Sequence, residues 1–130
     1  MARALTRWRL MMDDVVEIAG KTALMVSGAE NLSAATLSND LIGMAWSDDA
    51  QMVVVEASVL PDAFFELRSG IIGDVAQKFA NYRLLMVVVG DVQRFADRST
   101  AFRDYLFETN AGGNLWFVPD MDALERKLAL

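Results

Sequence analysis

The middle of the chain combines a helical pattern with a strand pattern. Apolar residues recur at helical spacing at Ile72, Val75 and Phe79, with polar residues on the opposite side, which predicts an amphipathic helix. Residues 84–89 are apolar without interruption, which predicts a strand covered on both faces. A helix followed by such a strand is half of a parallel strand–helix–strand unit.

The same helical and strand patterns predict the elements in the rest of the chain. Helical segments follow Ser33, Ser99 and Asp120, whose side chains suit the N-cap position. Gly20-Lys21 marks a hairpin turn between the first two strands. The predicted order is ββαβαβαβα, an α/β fold with a mixed, mostly parallel sheet of about five strands, flanking helices and an antiparallel first strand. The four further strands are predicted at residues 15–18, 22–26, 52–55 and 115–118.

The composition limits the class of protein. The chain has 130 residues, of which 54% are apolar, so it can bury a core and is predicted to form one domain, residues 1–130. The high apolar content favours a sheet covered on both faces, a homo-oligomer such as a dimer, or both. No apolar run reaches the roughly 20 residues of a membrane helix, and a net charge of −6 disfavours nucleic acid, so neither is an expected partner.

The sequence contains no cysteine and no histidine. Disulfides, thiol catalysis, histidine bases and zinc sites built on these residues are therefore excluded. Any catalysis would depend on carboxylates, lysine, tyrosine, serine or a hard metal ion. We assign no catalytic residue and expect no cofactor, and the composition favours a non-enzymatic role without excluding an enzyme.

Residues 1–10 do not have the pattern of a signal peptide. They carry positive charge but lack an adequate apolar stretch and a small-residue cleavage site, so a cytoplasmic location is expected. A second interpretation treats them as an N-terminal extension, with Met11 or Met12 as the natural start.

A first candidate site lies where the central helix begins. Arg68, Ser69 and Gly70 precede the helical stripe, and the unpaired N–H groups of a helix N-terminus can hold an anion or a phosphate. A phosphate on Ser69 would be favoured by the helix dipole and by Arg68. The alternative is an ordinary N-cap serine followed by a glycine that allows close packing.

A second candidate site lies on the polar side of the same helix. Asp74 lies four residues before Lys78, so a surface ion pair explains that lysine equally well. Asn81 and Arg83 also suit the end of a helix. The four polar side chains that could converge on an acidic ligand or a partner are Gln77, Lys78, Asn81 and Arg83.

A third candidate site consists of three carboxylates. Glu56, Asp91 and Asp120 each follow a predicted parallel strand, at the edge where open α/β sheets bind ligands. Three carboxylates at one edge could bind Mg²⁺, which prefers oxygen ligands. Asp120 also suits a helix cap and Gly90-Asp91 also suits a turn, so structural roles explain the same residues.

A set of motifs spans most of the chain from about Leu37 onward: Phe64-Phe65, Leu67 with Ser69-Gly70, Gln77-Lys78-Phe79, Asn81-Tyr82-Arg83, Gly90-Asp91, Arg103-Asp104, Glu108 with Asn110, and Trp116-Phe117-Val118. Through these motifs the chain resembles a bacterial family called the domain of unknown function 4180. The stretch from Gln77 to Arg83 is the most specific part of the match. The family has no assigned activity, so the resemblance implies little about function.

More distantly, the layout resembles the SpoIIAA-like branch of the STAS fold. Those domains place an Asp-Ser-Ser-Gly turn at a helix N-terminus, and in the anti-sigma-factor antagonists a serine of this turn is phosphorylated to switch partner binding. Only Ser69 and Gly70 match that turn here. The resemblance implies a SpoIIAA-like architecture and, at Ser69, a regulatory switch.

The predicted function is that of a small cytoplasmic binding or regulatory domain that acts through protein or small-ligand contacts. One alternative is a metal-dependent or phosphate-handling enzyme that uses the carboxylates at the strand ends. Another is a purely structural homo-oligomer, with the hairpin edge or the N-terminal segment as its interface.

Overall fold

The computed structural model describes residues 13–26 and 32–129. The predicted N-terminal extension lies outside the described residues. The strands of the described part are β1 (Asp13–Ile18), β2 (Lys21–Val26), β3 (Met52–Glu56), β4 (Leu85–Val89) and β5 (Leu115–Val118). Its α-helices are α1 (Leu37–Ser47), α2 (Ile71–Asn81), α3 (Gln93–Arg98), α4 (Thr100–Asn110) and α5 (Met121–Leu128). Three short 3₁₀ turns between β3 and α2 are formed by Ala57–Val59, Asp62–Phe65 and Leu67–Ser69.

The five strands form one sheet whose spatial order equals the sequence order, β1-β2-β3-β4-β5. β1 and β2 are antiparallel and joined at Ala19-Gly20, both of which have positive φ, 53° and 82°. The strands from β2 to β5 are parallel, and Val53 pairs with Leu24 on one side and Met86 on the other. The predicted α/β fold, with a mixed sheet and an antiparallel first strand, is confirmed.

The helices that connect the parallel strands pack on one face of the sheet. Strand residues at alternate positions, such as Leu24 and Met86, are fully buried on this face. Helices α1, α2 and α4 contribute Leu41, Phe79 and Phe102 to the same cluster. Helices collect on one face when each connection returns to the next strand with the same hand.

Aromatic rings join the 3₁₀ turns to the helices that follow β4. Phe65 lies in the turn Asp62–Phe65, and its ring stacks on that of Phe95 in α3 with centroids 4.2 Å apart. Phe102 of α4 meets the ring of Phe65 edge-on at 6.0 Å. The 3₁₀ turn that carries Phe64 and Phe65 therefore anchors α3 and α4 to the core.

The opposite face of the sheet buries a second cluster. Met52, Val54 and Val87 have at most 2% of their surface exposed, and Leu124 of α5 belongs to the same cluster. Strand β3 thus buries residues on both faces of the sheet.

The structure differs from the sequence expectation at α3 and at the start of α1. The pattern does not predict α3, so the observed order is ββαβαβααβα. Six residues are too short to show a helical stripe, and α3 begins where the N–H of Gln93 donates to Asp91 Oδ1 at 2.9 Å. Ser33 is not the N-cap of α1, because its hydroxyl accepts from the N–H of Ala35 and the helix begins only at Leu37.

The other two predicted caps are confirmed. Ser99 accepts from the N–H of Phe102 at 3.1 Å, and Asp120 accepts from the N–H of Ala123 at 2.8 Å. Each bond satisfies one N–H of a first helical turn. Among residues 13–26 and 32–129, no helix combines the length and the apolar content needed to cross a membrane.

The last turn of α4 closes the outer edge of β5. The Thr109 hydroxyl donates to the carbonyl of Leu115 at 2.5 Å, and Asn110 Oδ1 accepts from the N–H of Phe117 at 2.7 Å. These backbone groups point away from β4, because alternate residues of a parallel strand bond to each side. An edge whose groups are already bonded is a poor template for a further strand.

Candidate functional site

Helix α2 begins at a glycine rather than at the predicted serine. Gly70 occupies the N-cap position with a φ of 81°, in the left-handed region, and Ser69 ends the preceding 3₁₀ turn. Ser69 Oγ donates to the carbonyl of Ala63 at 2.7 Å and accepts from the N–H of Ile71 at 3.2 Å. Ser69 is therefore not the N-cap. Its hydroxyl nevertheless satisfies one N–H of the first turn of α2 and links that turn to the 3₁₀ turn Asp62–Phe65, which contains Ala63.

A groove of about 230 Å³ lies beside Ser69, between α1 and α2. Asp74 also lines this groove, and its carboxylate accepts from the hydroxyl of Ser38, a residue only 5% exposed. A carboxylate in the groove opposes a free anion there. Arg68, which the sequence places with Ser69, lines a separate pocket that includes Glu66.

The polar side of α2 divides into a bonded and an unbonded part. Lys78 Nζ lies 3.8 Å from Asp74 Oδ1 and 3.5 Å from Asn39 Oδ1, so it ties α2 to α1. The side chains of Gln77 and Asn81 are exposed and make no hydrogen bond or ion pair with other residues that the structure describes. Lys78 therefore has the surface ion pair that its spacing predicts, whereas the two amides are available to a partner.

Arg83 follows α2 in a conformation that side chains rarely adopt. Its φ is 58°, and its N–H donates to the carbonyl of Ala80 at 3.1 Å. Glycine is the usual residue where a helix ends in the left-handed region. The side chain of Arg83 is exposed and makes no ion pair within the described part of the chain.

The structure adds two aromatic residues that the sequence pattern misses. Trp46, in the last turn of α1, is 68% exposed, and Tyr82, directly after α2, is 49% exposed. Their rings meet edge-on with centroids 5.7 Å apart. Trp46 lies one position beyond the buried Ala45, out of phase with the apolar stripe of α1. This offset is the feature of the sequence that indicates an exposed side chain at Trp46. We call the following exposed set the α1–α2 surface: Trp46, Gln77, Asn81, Tyr82 and Arg83.

A pocket of about 420 Å³ opens at the carboxyl ends of β3 and β4. Glu56 and Asp91 line it together, as their positions at strand ends predict, and Ser58 and Arg94 line it too. Asp120 instead caps α5. Across residues 13–26 and 32–129, no group of three or more His, Cys, Asp or Glu side chains could hold a metal ion, so the predicted carboxylates are not assembled as a triad.

The backbone and one cation shape this pocket. Gly90 has a φ of 140°, and a Cβ there would lie 3.1 Å from the Cβ of Ala57, so any other residue would be strained at this approach of β4 to the turn after β3. Arg94 lies over the ring of Phe95 at 4.3 Å and 3.6 Å from Asp62 Oδ1. The pocket therefore offers carboxylates and a guanidinium, which suits a small molecule that carries both charges.

Comparison with known proteins identifies a family. A family model described as a domain of unknown function (DUF4180) matches residues 18–128, from the end of β1 to the end of α5. No curated protein and no solved structure matches the chain. The matched range contains all three predicted sites and the α1–α2 surface, so the resemblance carried by the motifs is confirmed. The chain belongs to the family DUF4180.

Proposed function

We propose that this protein is a binding domain that contacts a protein partner through the α1–α2 surface. The observation that carries the proposal is the pair Trp46 and Tyr82, which are 68% and 49% exposed although both are large and aromatic. Trp, Tyr and Arg are enriched among the residues that dominate interface energies. The two rings already support each other, so they lose little freedom when a partner covers them.

The backbone of Arg83 supports the same surface. Holding an L residue in the left-handed region costs about 1 kcal/mol. The backbone N–H of Arg83 is bonded to the carbonyl of Ala80, but its guanidinium makes no hydrogen bond or ion pair with other described residues. A carboxylate on the partner would bind the guanidinium through two parallel hydrogen bonds, and the exposed amides of Gln77 and Asn81 lie on the same helix end.

The proposal includes a SpoIIAA-like switch at Ser69 and a cytoplasmic location. A phosphate on Ser69 would replace the proton that now bonds to the Ala63 carbonyl. It would also bring up to about two negative charges into the groove that holds Asp74. Asp74 contacts Lys78, and Lys78 ties α2 to α1. Repulsion of Asp74 would therefore alter the link between the two helices that form the surface.

In-cell photo-cross-linking tests the binding surface. A photoreactive residue replaces Gln77, whose side chain is exposed and unbonded within the described residues, or Glu125, which is exposed on α5. We expect one discrete adduct with a different protein from position 77 and none of that mass from position 125. Trp46→Ser should remove the adduct, whereas Phe107→Ser, which removes an exposed aromatic on α4, should leave it intact.

Three outcomes would contradict this proposal. One is an adduct from position 77 that survives both Trp46→Ser and Tyr82→Ser. Another is the same adduct from position 125, which would mean non-specific capture. The third is an adduct with twice the mass of the chain, which would make the surface a self-interface.

The switch has its own measurement. Mass spectrometry of the protein from its host should find a phosphate on Ser69, and Ser69→Asp and Ser69→Ala should change the adduct yield in opposite directions. If Ser69 has only a structural role, Ser69→Ala should lower the free energy of unfolding of the protein by about 1 kcal/mol and leave the yield of the cross-linked adduct unchanged. That result would contradict the proposed switch at Ser69 and leave the proposed role of the α1–α2 surface unaffected.

A second candidate function uses the pocket at the strand ends. The carboxylates of Glu56 and Asp91 line it and favour a hydrated Mg²⁺ ion, whereas the guanidinium of Arg94 opposes a cation and favours the anionic group of a small ligand. A ligand at ten times its Kd adds about 1.4 kcal/mol to the free energy of unfolding. If Mg²⁺ raises the melting temperature, Asp91→Asn should abolish the rise, whereas Asp120→Asn should retain it because asparagine still caps α5. A melting temperature that does not respond to Mg²⁺ would rule out the ion.

A further inference from the structure

The pocket at the carboxyl ends of β3 and β4 contains hydrogen-bond acceptors that the chain leaves unused. The carboxylate of Glu56 and the hydroxyl of Ser58 make no hydrogen bond or ion pair with other residues that the structure describes. Asp91 accepts from the N–H of Gln93 through Oδ1 at 2.9 Å, and its Oδ2 has no partner in the described part of the chain. The pocket therefore presents two carboxylates and a hydroxyl to a ligand that donates hydrogen bonds.

Arg94 supplies the opposite charge to the same pocket. Its guanidinium rests on the ring of Phe95, which is 8% exposed and which the core holds in place. Its ion pair with Asp62 is weak, because the two side chains are 66% and 74% exposed to water. A guanidinium has five N–H donors, so a carboxylate from a ligand can bind through two parallel hydrogen bonds beside Asp62 or in its place.

The two signs of charge lie close together. Asp91 is only three residues before Arg94, both line the pocket, and no ion pair joins them. The rest of the lining is apolar and consists of Ala57, Val89, Gly90 and Phe95. The volume of about 420 Å³ falls in the range of small-molecule sites, roughly 300–1,000 Å³. The pocket accordingly suits a small molecule whose two charges are close and whose remaining part is uncharged.

The charges disfavour simpler ligands. A free anion would meet the two carboxylates, and a metal ion would meet the guanidinium of Arg94. The described residues also provide no third carboxylate for a metal ion at this pocket. A ligand with one ammonium and one carboxylate satisfies both signs of charge. The ammonium has three N–H donors for the acceptors of Glu56, Ser58 and Asp91, and the carboxylate matches Arg94.

We propose that this pocket binds a free α-amino acid with an uncharged side chain. Its ammonium group lies at Glu56 and Asp91, and its carboxylate lies at Arg94. This inference rests on the second candidate function, because it names the ligand class of the same pocket, and it is independent of the α1–α2 surface. Asp62 is then an internal competitor of the ligand, because its carboxylate contacts the same guanidinium.

Thermal unfolding with free amino acids identifies the ligand. Each common L-amino acid is added at millimolar concentration, and we expect at least one with an uncharged side chain to raise the melting temperature of the wild-type chain. Titration calorimetry then measures the Kd of that amino acid, of its primary amide and of its N-acetyl derivative. The amide lacks the negative charge and the N-acetyl derivative lacks the positive charge, so each should bind about tenfold more weakly or worse.

Matched variants assign each charge of the ligand. Arg94→Gln should weaken binding by about tenfold or more and no longer distinguish the amino acid from its amide. Glu56→Gln combined with Asp91→Asn should no longer distinguish the amino acid from its N-acetyl derivative. Arg98→Gln is the control, because Arg98 lies 5.5 Å from the centroid of the Phe95 ring but lines a neighbouring pocket, and it should bind like the wild type. Asp62→Asn should tighten binding, since it removes the competitor for Arg94.

Several results would overturn the amino-acid assignment. They are a melting temperature that no free amino acid raises, equal affinity for the amino acid and its amide, and a Kd that Arg94→Gln leaves unchanged. A Kd that Arg98→Gln weakens as much as Arg94→Gln would place the ligand elsewhere. If Mg²⁺ raises the melting temperature through Asp91 and no amino acid does, the ligand class is wrong and the second candidate function stands. If neither raises it, both are wrong.

Discussion

Replacing Thr109 by valine should destabilise the protein through one lost hydrogen bond. Thr109 is 7% exposed, and its hydroxyl donates to the carbonyl of Leu115 at 2.5 Å. Valine has nearly the same shape, so packing is retained while the carbonyl at the edge of β5 loses its partner. An unpaired buried group costs about 1–3 kcal/mol. We expect a loss of about 2 kcal/mol, a large fraction of the roughly 5–15 kcal/mol that stabilises most domains.

Equilibrium unfolding in urea measures this loss. The midpoint should fall while the slope of free energy against urea stays constant, because the surface exposed on unfolding is unchanged. Thr100→Val is the matched control, the same substitution at an exposed position of the same helix, and it should change stability by less than about 0.5 kcal/mol. Equal midpoints for the two variants would refute the idea that Thr109 closes the sheet edge.

Three further predictions follow from the backbone and the core. Gly90→Ala should destabilise the protein by at least about 2 kcal/mol, since φ is 140° and the new Cβ would lie 3.1 Å from that of Ala57. Adding Ala57→Gly should restore only part of the melting temperature, because the backbone strain at position 90 remains. Full restoration would contradict that strain. Arg83→Gly should raise the free energy of unfolding by up to about 1 kcal/mol and weaken the cross-link from position 77. Ala19→Gly, at a φ of 53° in the hairpin, should raise the free energy of unfolding by a similar amount and leave the cross-link from position 77 intact. If Arg83→Gly and Ala19→Gly affect that cross-link equally, the result would argue against a binding role for Arg83. Phe102→Ala should lower stability by about 3–5 kcal/mol in calorimetry, because the side chain is fully buried against other rings; a loss below about 1 kcal/mol would contradict its place in the core.

The elements that the sequence predicts well are those with an uninterrupted pattern. The apolar run before Gly90 forms β4, and the stripe that contains Ile72 and Phe79 forms the buried side of α2. Local chemistry also places the caps Ser99 and Asp120 correctly, because a side-chain oxygen and an N–H three residues later depend on few other atoms. Helix α3 escapes prediction because six residues give less than two turns of periodicity.

The candidate sites are harder to predict because they depend on residues far apart in sequence. Position at a strand end was enough to bring Glu56 and Asp91 to one pocket, since parallel strands share an edge. It did not bring Asp120 there as a third ligand, because that side chain turns to the N–H groups of α5. Proximity in sequence likewise failed for Arg68, which lines a different pocket from its neighbour Ser69.

The sequence by itself determined the fold class, the antiparallel first strand, the helix caps at Ser99 and Asp120, and the absence of thiol and imidazole chemistry. These properties follow from short-range periodicity, local hydrogen bonds and composition. Only the tertiary structure decided that Trp46 meets Tyr82, that Thr109 and Asn110 close the edge of β5, and that Phe107 stands beside a groove. Each of those depends on how one element packs against another, and side-chain exposure after packing is not encoded in the period of any single helix or strand.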